Sequence, residues 1–300
     1  MKIKRVSSYK TAADRKFPGD WLDKIQKQNN FEYQKLTVPT FFGETVVLAH
    51  NHDRKHLAPL VYFPGFRTSG IFLDLNDNLA PLKKDFRLYL VDVIGQPGMS
   101  TGNTPDAKSG EYAAWIGEVF DGLNLDETNI AGASFGGCLC LKAARHLPDR
   151  ITKAILLNPS GLTNISFAPK TSFYNFMPLI FPSRKTVENF MEYVVFGAQA
   201  NVSEACWNAV AEFELHAIRN FRLKADYPYK MSDAELAGIT VPIYLILGEN
   251  DRLIPPQKTL ARAKDLLPTL KETHLLKGVG HGIECSHEAV RILKNILEAA

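Results

Sequence analysis

Gly132-Ala133-Ser134-Phe135-Gly136 follows directly on Ile130-Ala131, an apolar stretch with the composition of a buried strand. Small residues two places before and two places after a serine permit a sharp, strained turn from strand into helix, which lifts the hydroxyl clear of the sheet. The segment reads as a nucleophile elbow, and an elbow demands a strand that runs straight into a helix. The five-residue pattern also arises by chance, and a glycine-flanked serine can merely cap a helix, so the rest of the chain has to decide.

The arrangement requires an acid and then a histidine downstream of the serine. Val241-Pro242-Ile243-Tyr244-Leu245-Ile246-Leu247 is a continuous apolar run of the kind buried on both faces of a sheet, and Gly248-Glu249-Asn250-Asp251 follows at its end. Thirty residues after Asp251, the segment His274-Leu275-Leu276 leads through Lys277-Gly278-Val279-Gly280 to His281, in a loop whose glycines let it fold inward.

A serine hydroxyl is a weak nucleophile until a neutral imidazole takes its proton, and a carboxylate fixes the imidazole tautomer and stabilises the imidazolium. Ser134, His281 and Asp251 are assigned to those three roles. The tetrahedral intermediate also needs two backbone donors, each worth on the order of 3 kcal/mol. One is the amide of Phe135. The other is expected in the loop after the third strand, where Leu60-Val61-Tyr62-Phe63 runs into Pro64-Gly65-Phe66, and the Phe66 amide is the choice.

From about Phe31 to its end the chain resembles the α/β-hydrolase family. Leu88-Tyr89-Leu90-Val91-Asp92 with Gly95-Gln96-Pro97-Gly98-Met99-Ser100 is similar to that family's fourth strand and following loop. Ile151-Thr152-Lys153-Ala154-Ile155-Leu156-Leu157-Asn158-Pro159 is similar to its sixth strand, and Arg252-Leu253-Ile254-Pro255-Pro256 to the exit from its acid loop. Two departures are visible: Pro64-Gly65 stands where many relatives carry His-Gly, and the loop after the fourth strand is one residue longer. The resemblance implies an α/β-hydrolase fold with a mostly parallel, doubly wound sheet flanked by helices. It also implies a helical cap inserted after the sixth strand.

The periodicity agrees. Tyr112, Trp115, Ile116, Val119, Phe120 and Leu123 trace one face of a helix, and Val290, Leu293, Ile296 and Leu297 repeat the pattern near the end. Residues 1–30 read as a poorly anchored leader with a short helix near Trp21 to Gln28. The expected division is core 1–162, cap 163–233 and core 234–300. Residues 163–233 hold 13 of the chain's 18 Phe, 10 Tyr and 3 Trp, a density that suits an apolar roof over the serine. Most of these aromatics are expected to hold the cap together, while Phe173, Phe176 and Phe196 are expected to face substrate.

Three hundred residues suffice for one large α/β domain, and 45% hydrophobic content for its core. A net charge of +3 with no basic run interleaved with aromatics argues against a nucleic-acid partner. No apolar run reaches the length of a membrane span, and Met1-Lys2-Ile3-Lys4-Arg5 is not followed by the apolar stretch of a signal peptide. Cys138, Cys140, Cys206 and Cys285 show no disulfide spacing and are read as reduced thiols in a cytoplasmic protein. The sequence leaves the oligomeric state open.

Three side signals compete. His50 and His52 with Asp53 resemble a metal cluster but fall in an expected polar turn, and no distant ligands complete a site. His287 is a rival base, yet Ser286-His287-Glu288 begins the last helix. Arg67, beside the proposed oxyanion donor, is read as a loop-edge charge with a possible role toward an acidic substrate group. The expected activity is therefore that of a serine hydrolase, a carboxylesterase on a small or medium apolar ester, with no metal or organic cofactor. A thioesterase, a C–C bond hydrolase and a cofactor-free perhydrolase would share the triad, and a ligand sensor would share the fold.

Overall fold

The apolar runs of the sequence form one sheet in the computed structural model, which describes residues 6–197, 202–224 and 229–299. Its principal strands are β1 (Gln34–Thr40), β2 (Gly43–His50), β3 (Ala58–Phe63), β4 (Phe86–Val91), β5 (Thr128–Ala133), β6 (Ile151–Leu157), β7 (Ile243–Gly248) and β8 (Leu270–Leu276). Every residue of β4, β5 and β7 is buried, as continuous apolar runs require when helices cover both faces. The spatial order is β8-β7-β6-β5-β3-β4-β2-β1, and the two-residue strand Thr101–Gly102 adds to β2. From β4 to β8 all pairings are parallel, while β2 is antiparallel to both β1 and β4.

The chain passes from β3 outward to β4 and then returns to the other side of β3 as β5. The strand order therefore reverses at β3, and a crevice opens beyond the carboxyl ends of β3 and β5. Register fixes what meets there. Phe63 at the end of β3 lies opposite Gly132, two residues before Ser134, and Ala133 lies opposite Leu157 at the end of β6.

Helices Glu111–Gly122 and Phe135–His146 pack on one face, where Trp115 is fully buried and donates its indole N–H to Thr45 Oγ1 at 2.8 Å. On the other face the last helix, His287–Glu298, buries Val290, Leu293, Ile296 and Leu297, the stripe read from the sequence.

From Val6 on, the amino-terminal segment is firmly attached, contrary to the expectation of a poorly anchored leader over residues 1–30, of which residues 1–5 lie outside the described residues. Its helix runs over Ala12–Asn29, begun by a capping box in which Thr11 and Asp14 bond reciprocally. Trp21, 2% exposed, donates to the Ala209 carbonyl, Phe17 stacks on His216, and the short strand Ser8–Tyr9 pairs with Phe221–Arg222. Pro18 and Gly19 conceal this helix in the sequence: Pro18 lies in its second turn, where it forgoes one intrahelical hydrogen bond, and the helix holds through the face that buries Pro18, Trp21, Leu22 and Ile25.

Between β6 and β7 lie helices Pro169–Ile180, Arg184–Phe190 and Glu204–Asn220, with a π-helical turn over Met191–Phe196. The edge strand Phe221–Arg222 pairs outside the main sheet.

Candidate active site

Ser134 connects β5 to helix Phe135–His146 with φ 51° and ψ −112°, a left-handed conformation that costs on the order of 1–3 kcal/mol for a residue with a side chain. The neighbouring glycines make the turn sterically feasible. A Cβ on Gly136 would lie 1.9 Å from the Phe63 carbonyl oxygen, and one on Gly132 would lie 2.3 Å from Gly136. The Ser134 amide donates to the Leu157 carbonyl at 2.9 Å, which ties the strained residue to β6.

Ser134, His281 and Asp251 meet. His281 Nε2 stands 3.0 Å from Ser134 Oγ, and His281 Nδ1 stands 2.8 Å from Asp251 Oδ2. The other carboxylate oxygen of Asp251 accepts the amides of Leu253 and Ile254, each at 2.8 Å, so the fully buried acid is held from behind. Burial alone would lower the His281 pKa. The Asp251 carboxylate, through its charge and its hydrogen bond, and then Glu284 reverse this and hold it above the ordinary 6.5. The rival His287 is exposed at the first turn of the last helix.

Phe66 and Phe135 also come together, their rings in edge-to-face contact at 5.8 Å. Phe135 is the first residue of its helix, so its amide has no intrahelical acceptor. The loop bearing Phe66 abuts the serine, since a Cβ on Gly65 would lie 3.6 Å from Ser134 Cβ.

The positioning roles of three groups, Asn158, Gln96 and Asp92, escaped sequence reasoning. Asn158, 1% exposed, donates to the carbonyls of Gly280 and His281 at 2.8 and 3.1 Å and accepts the Gly248 amide at 2.8 Å. It thus fastens the acid strand and the histidine loop to the end of β6. Its signal was a polar residue ending an apolar run, at a left-handed φ of 41° that asparagine tolerates. Gln96 accepts the Arg67 amide at 2.9 Å and so braces the loop carrying Phe66, while Asp92 anchors the same region through Ser69, Gly70 and Met99.

A cavity of about 150 Å³ opens above the serine, walled by Phe66, Phe72, Phe176, Phe196, Val210 and Ile218 among others. Phe196 is buried against Trp207, and Phe176 is exposed along one side. Phe173 does not face this cavity, which corrects the sequence expectation. It is 57% exposed and packs on Tyr174. Asn175, Phe176, Pro178 and Leu179 line the cavity from helix Pro169–Ile180, whereas Phe173 lies about 60° past Phe176, at the flank of that face, and turns to Tyr174 and the exterior.

Glu214 and Glu284 line the cavity as well, and neither was singled out in the sequence. Val210, Phe213, Glu214 and Ala217 form one buried helical stripe, so a lone acid on an apolar face was the available sign. Burial pushes the Glu214 carboxyl up to about 7, with Arg67 opposing and Glu284 adding to the rise. Elsewhere, His50 bonds to the Lys83 carbonyl and His52 to the Tyr89 hydroxyl. Among the described residues no helix is long and apolar enough to cross a membrane, and the four cysteines are free and buried.

A strand-to-helix serine bonded to a histidine and a buried acid, at the reversal of a mostly parallel sheet, defines a class. The chain belongs to the alpha/beta hydrolase fold family, whose model matches residues 58–283. Within it, the chain is carboxylesterase-like. It is 29% identical over 251 residues to the uncharacterized carboxylesterase nap of Bacillus subtilis (strain 168), which covers 81% of this chain and 79% of that protein. The crystal structure of carboxylesterase CesB (YbfK) from Bacillus subtilis superposes with a TM-score of 0.79 at 22% identity, over 96% of this chain and 100% of that one. A 2-hydroxy-6-oxo-6-phenylhexa-2,4-dienoate hydrolase of Burkholderia cepacia is 25% identical over 261 residues, 82% of this chain and 84% of that protein.

Proposed function

We propose that this chain hydrolyses small or medium apolar carboxylic esters through a Ser134-His281-Asp251 triad. The observation that carries the reading is the unbroken run from Ser134 Oγ to His281 Nε2 at 3.0 Å and from His281 Nδ1 to Asp251 at 2.8 Å. His281 takes the hydroxyl proton as Ser134 Oγ attacks the ester carbonyl, and Asp251 stabilises the imidazolium. The oxyanion develops between the amides of Phe66 and Phe135. The imidazolium then protonates the departing alkoxide, which leaves an acyl-Ser134. Water, deprotonated by His281, releases the acid and restores the serine.

In this reading residues 163–233 act as a cap whose inner aromatics select the acyl chain, in a cytoplasmic enzyme. The test is multiple turnover on p-nitrophenyl esters of increasing acyl length, with fluorophosphonate labelling mapped by mass spectrometry. Sustained turnover with the adduct on Ser134 supports the reading. An adduct elsewhere, or a single turnover and no more, overturns it. The Burkholderia cepacia relative named for a dienoate substrate favours C–C bond hydrolysis as the second reading. Turnover of a 2-hydroxy-6-oxo-dienoate faster than of any ester would put that reading first.

A further inference from the structure

Most buried acids in this protein are well supplied with partners. Asp74 pairs with Lys83 at 2.8 Å and accepts from Tyr33 and the Leu79 amide. Asp92 takes three donors and Asp251 takes three. Glu214 breaks the pattern. It is 8% exposed, yet among the described residues it has neither a hydrogen bond nor an ion pair. Arg67 lines the same cavity and lies close enough to act on Glu214 through space, but not as an ion-pair partner. A carboxyl without a protein partner that opens into a cavity lined also by Phe72, Val210 and Ile218 is costly, and such groups persist where a ligand supplies what the protein withholds.

Glu284 faces the same cavity from the histidine loop. Two carboxyls that share an apolar chamber repel one another once both are ionised, and a cation placed between them removes that repulsion. A primary ammonium offers three donors to carboxylate acceptors, while the surrounding side chains cover a methylene chain.

We propose that Glu214, with Glu284 across the same cavity, forms a subsite for a primary ammonium, so that the preferred esters carry an amine at the end of an apolar body. This rests on the ester-hydrolase reading above. The matched pair p-nitrophenyl 6-aminohexanoate and p-nitrophenyl heptanoate separates the two claims. Wild type hydrolyses the amino ester with kcat/KM at least equal to that of its apolar isostere, and Glu214→Gln lowers this ratio at least tenfold. In an apolar cavity without the subsite, wild type would favour heptanoate by more than tenfold, and that result overturns the proposal. Failure to hydrolyse either ester speaks against the esterase reading alone, because amine recognition is also read without turnover. In the Ser134→Ala protein, calorimetry shows n-hexylammonium binding at least tenfold more tightly than 1-hexanol. This comparison needs no change at Glu214 and decides the matter even if Glu214→Gln does not fold. Equal binding of the two probes, or hexanamide binding more tightly than hexylammonium, refutes the ammonium subsite.

Discussion

The floor of the cavity and its helical wall obey different rules. On the floor, backbone approaches backbone so closely that residue identity is dictated atom by atom. Gly136 faces the Phe63 carbonyl at a distance no Cβ tolerates, and a Cβ on Gly248 would lie 2.5 Å from the Val279 carbonyl oxygen. On the wall, side chain meets side chain. Helix Pro169–Ile180 leaves Phe173 57% and Ile180 62% exposed while turning Phe176 inward. The floor has one solution for its chemistry, whereas the wall has many for its shape. Specificity can therefore change on the wall without disturbing the machinery below.

The comparison is broken most directly by removing the nucleophile. Ser134→Ala should reduce kcat by about 10⁴-fold or more while leaving the thermal midpoint nearly unchanged, since the strained turn is maintained by its glycines. Turnover close to wild type would mean that the floor does no chemistry. Asn158→Ala tests whether the floor depends on its fastening. It orphans the Gly248 amide and the carbonyls of Gly280 and His281. At about 1 kcal/mol per hydrogen bond the expected destabilisation is roughly 3 kcal/mol. Displacing the imidazole by even about 1 Å should cost on the order of 10²-fold in kcat. Loss of stability with kcat intact would make Asn158 purely structural.

The same contrast explains what the sequence disclosed. Ser134, Asp251 and His281 were legible because each follows a strand signal at the same edge of the sheet, and strand order brings those edges together. The resemblance and the alternation of strands with helices implied a mostly parallel, doubly wound sheet, but the strand order and the pairing of Phe63 with Gly132 are set by contacts between distant segments and became visible only in the structure. Asn158 was hidden because its role is set by three backbone groups from 90 to 123 residues away. Phe173 was misjudged because aromatic density reports that a surface is apolar, not which side of the helix faces inward. The amino-terminal helix was underestimated because its stabilising partners, Ala209 and His216, lie in the distant helical wall.

Glu214 belongs to the wall in sequence yet faces the chemistry, and its charge sharpens the comparison. Its folded pKa, about 7, stands above the ordinary 4.5 because burial disfavours the anion. Folding therefore prefers the protonated form: the stability is fully present below about 4.5 and is lost as pH rises through about 7. The loss approaches on the order of 3 kcal/mol above that range, at about 1.36 kcal/mol per pH unit. Glu214→Gln, neutral and nearly isosteric, should remove it. Denaturant unfolding at pH 5 and pH 8 should show the variant gaining on wild type only at the higher pH. Equal differences at both would mean that Glu214 does not titrate between them.

The smallest effect lies in the aromatics of the wall. Phe196 is 3% exposed and lines the cavity, while Phe173 is 57% exposed and does not. Each methylene newly accommodated contributes roughly 0.8 kcal/mol when fully buried, so Phe196→Leu should favour longer acyl chains by a few-fold per carbon. Leucine is preferable to alanine here, because Phe196 also packs on Trp207 and against Gly282, and a full truncation would confound selectivity with collapse of the π-helical turn. Phe176→Ala should shift the profile less, since that ring is already 37% exposed. Phe173→Ala should leave the profile where it was. The measurement is kcat/KM across p-nitrophenyl esters from acetate to decanoate, at matched folded fraction. A shift produced by Phe173→Ala and absent from Phe196→Leu would invert the assignment, and the acyl chain would then run along the outer side of helix Pro169–Ile180 rather than beneath it.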